Sequence, residues 1–135
     1  MKTAHITTTI NIPHVLKLYR ACSNNVAFFV AGDQKSPHEN IEQFAEDVGG
    51  YFRYLHPDAQ TGWACSDLLG WSTIGRRSIA LLEALKWGAD IIVTVDDDNA
   101  PMSTAYFDRF EAILSKPFSG LAVTFEDHQW WDVGQ

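Results

Sequence analysis

Asp90-Ile91-Ile92-Val93-Thr94-Val95-Asp96-Asp97-Asp98-Asn99 is the stretch that decides the fold. Its middle is a near-continuous run of β-branched residues, the mark of a strand buried on both faces. Strands of that kind belong to parallel sheets covered by helices on both sides. Three carboxylates follow directly, at the carboxyl end of the strand. In open α/β sheets that edge is where ligands bind.

Outward from this strand, the chain alternates between short β-rich runs and segments of helical period. Upstream, a helix is expected from about Ser72 to Trp87, with Ile79, Leu82 and Leu85 as its inner line and Gly88 as its stop. Further upstream, strands are expected over residues 5–10, 26–31 and 51–55. Pro13 suits the first turn of a helix whose apolar face holds Val15, Leu18, Tyr19 and Cys22. Ser36-Pro37-His38-Glu39 reads as a capping box, with the Ser36 hydroxyl on the Glu39 amide and the Glu39 carboxylate on the Ser36 amide. The helix it opens carries Ile41, Phe44, Ala45 and Val48 and ends at Gly49-Gly50. Downstream, a helix is expected over 103–115, with Phe107, Phe110, Ile113 and Leu114 apolar, and a last strand over 121–125. Residues 56–71 have no clean period, and irregular segments of this length are usually functional or mobile. The order is βαβαβ, loop, αβ, αβ: an α/β, Rossmann-like parallel sheet flanked by helices.

Composition sets the outer bounds. The chain has 135 residues, 17 acidic and 10 basic, and a formal net charge of −7. That length fits one domain, residues 1–135, with one core. With 46% hydrophobic and 20% charged residues, the chain is not of the disordered class. The acidic balance excludes a general nucleic-acid binder, which shows a basic footprint. Cys22 and Cys65 are two isolated thiols, neither a disulfide framework nor a zinc motif. There is no secretory leader and no apolar run long enough for a membrane span, so a soluble, cytoplasmic chain is expected.

The carboxylates carry the chemistry. Side chains alternate along an extended chain, so Asp96 and Asp98 share one face while Asp97 points away. Packed carboxylates repel, and a divalent cation removes that penalty. Oxygen ligands suit Mg²⁺ or Mn²⁺, which take one or two carboxylates and complete their shell with phosphates. The alternative is a solvated acidic turn whose aspartate caps the next helix. Arg76 and Arg77 are candidates for a phosphate; successive helical positions cannot share a face, so one of them at most reaches a ligand. A solvated basic end, or an ion pair with Glu83, is the other reading. Asp33 ends the second strand and can accept bonds from a base or ribose, or serve as a turn aspartate. Asn11 ends the first strand, with the same ambiguity. Trp63, Trp71, Trp130 and Trp131 could stack on a base, but each taken singly reads as packing, and Trp87 as core. The five histidines form no spaced metal motif, although His128 could complete a metal shell.

Gly75-Arg76-Arg77-Ser78-Ile79-Ala80-Leu81-Leu82-Glu83-Ala84-Leu85-Lys86-Trp87-Gly88-Ala89-Asp90-Ile91-Ile92, followed by Val95-Asp96-Asp97-Asp98-Asn99, resembles the donor site of nucleotide-sugar-dependent glycosyltransferases of the GT-A fold. More narrowly, Gly62-Trp63-Ala64-Cys65-Ser66-Asp67-Leu68-Leu69-Gly70-Trp71 and the later Asp-Asp-Asp-Asn-Ala-Pro-Met are similar to STELLO-type glycosyltransferases. These in turn are similar to the reversibly glycosylated polypeptides, UDP-arabinopyranose mutases. The resemblance implies a metal-dependent hexosyl- or pentosyltransferase domain that binds a UDP-sugar and Mn²⁺ or Mg²⁺. Asp98 would bind the metal that bridges the diphosphate, and Asp96 would face the ribose or share the metal through water. Asp33 would meet the nucleobase, Arg76 or Arg77 would lie near the diphosphate, and Asn11 and Asp97 complete the donor-binding candidates. Leaving-group departure puts negative charge on the nucleoside diphosphate, and the metal stabilises it.

Family members devote a second half to the acceptor. The expectation here is mainly the donor-binding half, with Asp127, His128 and Asp132 as late candidates for a catalytic base or further ligand, and Asp127 foremost. Two other functions fit the residues: a donor-binding or assembly module without catalysis that needs a partner, such as a second copy of the chain, and a different Mg²⁺-dependent enzyme such as a phosphohydrolase. The last lacks an Asp-x-Asp-x-Thr nucleophile motif.

Overall fold

The computed structural model describes residues 1–117. The expected strand over 121–125 lies outside them, as do Asp127, His128, Trp130, Trp131 and Asp132. The elements run β1 (Thr3–Thr9), α1 (Leu16–Cys22), β2 (Ala27–Gly32), α2 (His38–Val48), β3 (Phe52–Leu55), α3 (Pro57–Gln60), α4 (Ser66–Leu69), a 3-10 turn (Ile74–Arg76), α5 (Arg77–Trp87), β4 (Ile91–Thr94) and α6 (Tyr106–Leu114).

The four strands form one sheet in the order β3-β2-β1-β4. All three pairings are parallel, so this is the expected Rossmann-like arrangement. The chain builds outward from β1 to β2 and β3, then returns to place β4 on the other side of β1. The strand order therefore reverses between β1 and β4, which makes that edge the topological switch point.

Alternation along each strand feeds two cores. Ala4, Ile6, Ala27, Phe29 and Leu55 pack with Ile79, Ala80 and Ala84 of α5. Phe28, Val30, Ile91 and Val93 pack on the opposite face with Leu16, Tyr19, Phe44 and Phe107. The strand buried throughout is β2, all six residues of it. β4 is not buried on both faces as its composition suggests: Ile91 and Val93 are buried, Ile92 is half-buried and Thr94 is exposed. Among the described strands β4 has one neighbour, β1, and an edge strand leaves part of its second face open.

Three local expectations change. The inner face of α5 is Ile79, Ala80, Glu83 and Ala84, while Leu85 is 53% exposed. Alanines let the helix lie close on the sheet, and that closeness sets the face. The helix expected from Ser72 begins at Arg77, after the 3-10 turn. The capping box does not form. The Ser36 hydroxyl accepts from the Asp33 amide at 2.8 Å and donates to the Thr9 carbonyl at 2.7 Å, and α2 has no side-chain cap. Bridging the ends of two paired strands buries this hydroxyl with both of its bonds made, which a solvent-facing cap cannot match.

Candidate ligand site at the switch point

A cavity of about 350 Å³ opens at the carboxyl ends of β1 and β2. Thr8, Thr9 and Asn11 line it at and just beyond the end of β1, Asp33 and Lys35 just beyond β2, Ser72, Thr73 and Ile74 at the start of the 3-10 turn, and Asp97 beyond β4. This volume lies within the range of small-molecule sites.

Asp33 is buried at the centre of this arrangement. Its Oδ2 accepts from the Ser72 amide at 2.6 Å, and its Oδ1 receives a long contact of 3.4 Å from the Lys35 amide. Ser72 is the one non-glycine residue with positive φ (58°) among the described residues. That conformation costs on the order of 1 kcal/mol or more for a residue with a Cβ. The charge-assisted bond to Asp33 offsets it. Asp33 thus ties residue 72 to the end of β2 through Oδ2, and its long contact with the Lys35 amide is that of a turn aspartate, leaving Oδ1 as its weakly engaged oxygen.

Arg76 does not reach the cavity. It is fully buried. Nε and one terminal nitrogen donate to Gln60 Oε1 at 3.0 and 2.6 Å. The other N–H groups go to Ser66 O (2.8 Å), Gly70 O (3.4 Å) and Ser66 Oγ (3.0 Å). All five donors are used, and the Trp71 ring lies 3.8 Å from the guanidinium carbon. Gln60 Nε2 in turn donates to Gly32 O and Leu55 O. Burial pulls the Arg76 pKa below its usual value, and the Asp33 carboxylate partly offsets that effect. The expectation of a diphosphate contact at Arg76 is therefore corrected: the residue organises residues 60–71 from inside. Its neighbour Arg77 does reach the sheet edge, donating to Asp96 Oδ1 at 2.7 Å. Glu83 pairs elsewhere, with Arg53 at 3.0 Å and with Trp63 Nε1 at 2.9 Å. Trp63, Trp71 and Trp87 all pack within the fold.

The acidic residues lie in a turn beyond β4 rather than on an extended chain, so strand alternation does not set their directions. The turn 96–99 is closed by Asn99 N to Asp96 O at 3.3 Å and tied to α1 by Tyr19 Oη to Asn99 O at 3.0 Å. Asp97 turns into the cavity, where Thr9 Oγ1 donates to its Oδ2. Asp96 and Asp98 are exposed. No aspartate caps the next helix, because α6 has no side-chain cap. Among the described residues, no group of three or more His, Cys, Asp or Glu side chains is arranged to hold a metal. A ready-made protein cage is thus not what this edge offers. An Mg²⁺- or Mn²⁺-type site needs only one or two carboxylates with phosphate and water; at this edge Asp98 is exposed, and Asp96 is exposed and paired with Arg77.

Thr9, Lys35, Ser72 and Thr73 were not foreseen as lining residues. The one sequence signal for them was position: Thr9 ends a strand at the ligand edge, and Lys35 follows Asp33. Cys22 and Cys65 are free and half-buried, as expected. No helix among the described residues is long and apolar enough to cross a membrane. A comparison with models of known protein families finds no match, and no curated protein is similar to the chain in sequence.

Proposed function

We propose that this chain is a nucleotide-sugar-binding domain of the glycosyltransferase kind, dependent on a divalent cation and taking a UDP-sugar as donor. The observation that carries this reading is the cavity at the switch point, with the acidic turn 96–99 beside it. In this reading Asn11 and Asp33 Oδ1 meet the base and ribose. Lys35 lies beside them as a positive charge for an anionic ligand. Asp96 and Asp98 would hold Mn²⁺ or Mg²⁺, and the chemistry such an ion would supply is positive charge against a diphosphate. The Arg77–Asp96 pair is partly exposed, with side chains 27% and 51% accessible, and surface pairs contribute about 0–1 kcal/mol. Releasing Arg77 to a phosphate therefore costs little.

Calorimetry with UDP and MnCl₂ tests the proposal. Nucleotide at a hundred times its Kd stabilises the fold by about 2.7 kcal/mol. For a domain of this size that is roughly 10 °C in Tm. Asp98→Ala should abolish the manganese-dependent part, and Arg77→Ala should weaken UDP binding. Absence of any manganese-dependent UDP binding in the wild-type chain refutes the proposal. Release of free sugar from a UDP-sugar, measured in parallel, separates a transferase from a binding module.

A further inference from the structure

The run Asp96-Asp97-Asp98 holds three carboxylates, and the proposed function gives a cation to two of them. Asp97 is left over, and its surroundings differ from those of its neighbours. Asp96 and Asp98 are exposed, while Asp97 is half-buried. Its Oδ2 accepts from Thr9 Oγ1. Thr9 is itself buried, at the last position of β1.

The Thr9 hydroxyl has one proton to give. Its oxygen accepts from the Asn11 amide at 3.1 Å, and its proton has two acceptors within reach, Asp97 Oδ2 and the Asn11 carbonyl at 2.7 Å. A carboxylate is the stronger acceptor, so the proton goes to Asp97. The carbonyl is the reserve. With the carboxylate removed, the hydroxyl turns to Asn11 O and no buried donor is stranded. The bond therefore does little for Thr9, and what it fixes is the turn at its other end.

That turn has few holds. β4 ends at Thr94, and the Val95 amide still bonds to Ile6 O at 3.3 Å. Beyond Val95, among the described residues, three hydrogen bonds tie residues 96–99 to the rest of the protein. They run from Arg77 to Asp96, from Thr9 to Asp97, and from Tyr19 Oη to the Asn99 carbonyl. The first lies at the surface, and ligand binding as proposed releases it. The other two come from buried side chains, Thr9 of β1 and Tyr19 of α1. They hold residues 97 and 99, the two that bracket Asp98.

We infer that Asp97 is a positioning residue and not a ligand: its bond to Thr9, with the Tyr19 bond to residue 99, pins the backbone on both sides of Asp98 and sets where that carboxylate stands at the sheet edge. The inference rests on the reading of Asp98 as a cation ligand. The side chains of Asp96 and Asp98 keep their freedom on a held backbone, which lowers the ordering cost of binding.

The test uses the full chain, with calorimetry in UDP and MnCl₂ and with ¹⁵N relaxation in the absence of ligand. Asp97→Ala should weaken manganese-dependent UDP binding about tenfold. Asp97→Asn keeps an acceptor for Thr9 and drops the charge, and it should recover most of that loss. In a Thr9→Val background, where the bond is already gone, Asp97→Ala should cost less than about twofold more. Without ligand, the amides of residues 97–99 should have order parameters near the rigid value of about 0.85 in wild type and below about 0.6 in Asp97→Ala. Asp98→Ala should keep the wild-type values. Thr9→Val breaks the same bond from the other side and serves should Asp97→Ala fold poorly. Binding in Asp97→Asn as weak as in Asp97→Ala overturns the inference, because the charge and not the bond to Thr9 then decides. So do order parameters that Asp97→Ala leaves unchanged, or full additivity with Thr9→Val. If the wild-type chain binds no UDP, the proposed function fails by itself, and the relaxation measurement decides whether the Thr9–Asp97 bond holds the turn.

Discussion

His5 makes the fold sensitive to acid, and replacing it should remove much of that sensitivity. The imidazole is 2% exposed in the middle of β1. It packs edge-on against Tyr19 and Phe28, with centroids at 4.5 and 5.4 Å. Among the described residues neither ring nitrogen has a hydrogen-bond partner. Burial, with the positive charge of Arg20 adding to it, lowers the pKa from 6.5 to about 3. The folded chain therefore keeps His5 neutral where the unfolded chain protonates it. Above pH 6.5 neither state carries the proton, and stability is full. Below pH 6.5 the unfolded state binds a proton the folded state refuses, and stability falls by up to about 1.4 kcal/mol per pH unit until pH approaches 3. Between pH 7 and pH 5 this amounts to about 2 kcal/mol. The assay is urea unfolding followed by tryptophan fluorescence at pH 7, 6 and 5, for wild type and His5→Phe. The other titrating groups are common to both chains, so the difference in their pH dependence isolates His5. His5→Phe should lose about 2 kcal/mol less than wild type between pH 7 and pH 5. At pH 7 it should gain about 1 kcal/mol, because two unpaired buried nitrogens are removed. His5→Leu checks the same slope should Phe fit poorly. Parallel pH profiles for wild type and both variants refute the reasoning, as does an imidazole titrating near 6.5 by NMR.

Two further substitutions probe the scaffold of the site. Arg76→Met strands Gln60 Oε1 and Ser66 O in the interior and should cost about 3–5 kcal/mol in urea unfolding. It should also speed hydrogen exchange at the Ser72 amide, while Arg76→Lys, with three donors for five contacts, recovers only part. A chain as stable as wild type with Met at position 76 would show that the burial penalty of the guanidinium outweighs its hydrogen bonds. At the end of β2, a Cβ on Gly32 would lie 2.0 Å from Tyr54 Oη and 2.6 Å from Cζ. Gly32→Ala should therefore cost about 1–3 kcal/mol, and Tyr54→Ala in the same chain should recover much of it. Strict additivity of the two changes would disprove the clash.

The parts of this molecule that could be read from sequence are those set by local periodicity. The β-branched run into the acidic turn fixes β4, and alternating strands and helices fix a parallel sheet. Asp33, Asn11 and the acidic turn follow from the rule about strand ends. What escaped was decided by partners far along the chain. The Ser36 hydroxyl had a local partner in the Glu39 amide, but parallel pairing of β1 with β2 brings the Thr9 carbonyl to it from 27 residues away. Arg76 looked like a phosphate ligand because the arginine pair follows an irregular segment. Its guanidinium instead closes that segment by binding Gln60, 16 residues earlier. On α5 the large apolar residues suggested the inner face, yet the helix turns its alanines to the sheet, since a buried alanine gains close backbone approach where a leucine would hold the layers apart.

These departures share a physical logic. Two buried charges, Asp33 and Arg76, hold the stretch 66–72 from inside, one at Ser72 and the other at Ser66 and Gly70. Arg76 has all five donors used inside the protein and Asp33 Oδ2 holds the Ser72 amide, so the Ser72 end of the wall is set before any ligand arrives. The acidic turn on the other side is built differently. Asp96 is exposed and paired to one arginine at the surface, and Asp98 is exposed. A ligand entering between them would find one rigid wall and one adjustable wall. The rigid wall lowers the ordering cost of binding a fixed ligand shape. The adjustable one lets carboxylates rearrange around an ion that arrives with its own phosphate ligands. A nucleoside diphosphate with its cation has that division, a stiff ring system at one end and a flexible, ion-bearing chain at the other. The proposed orientation follows: base toward Asp33 and Ser72, diphosphate toward Asp96 and Asp98.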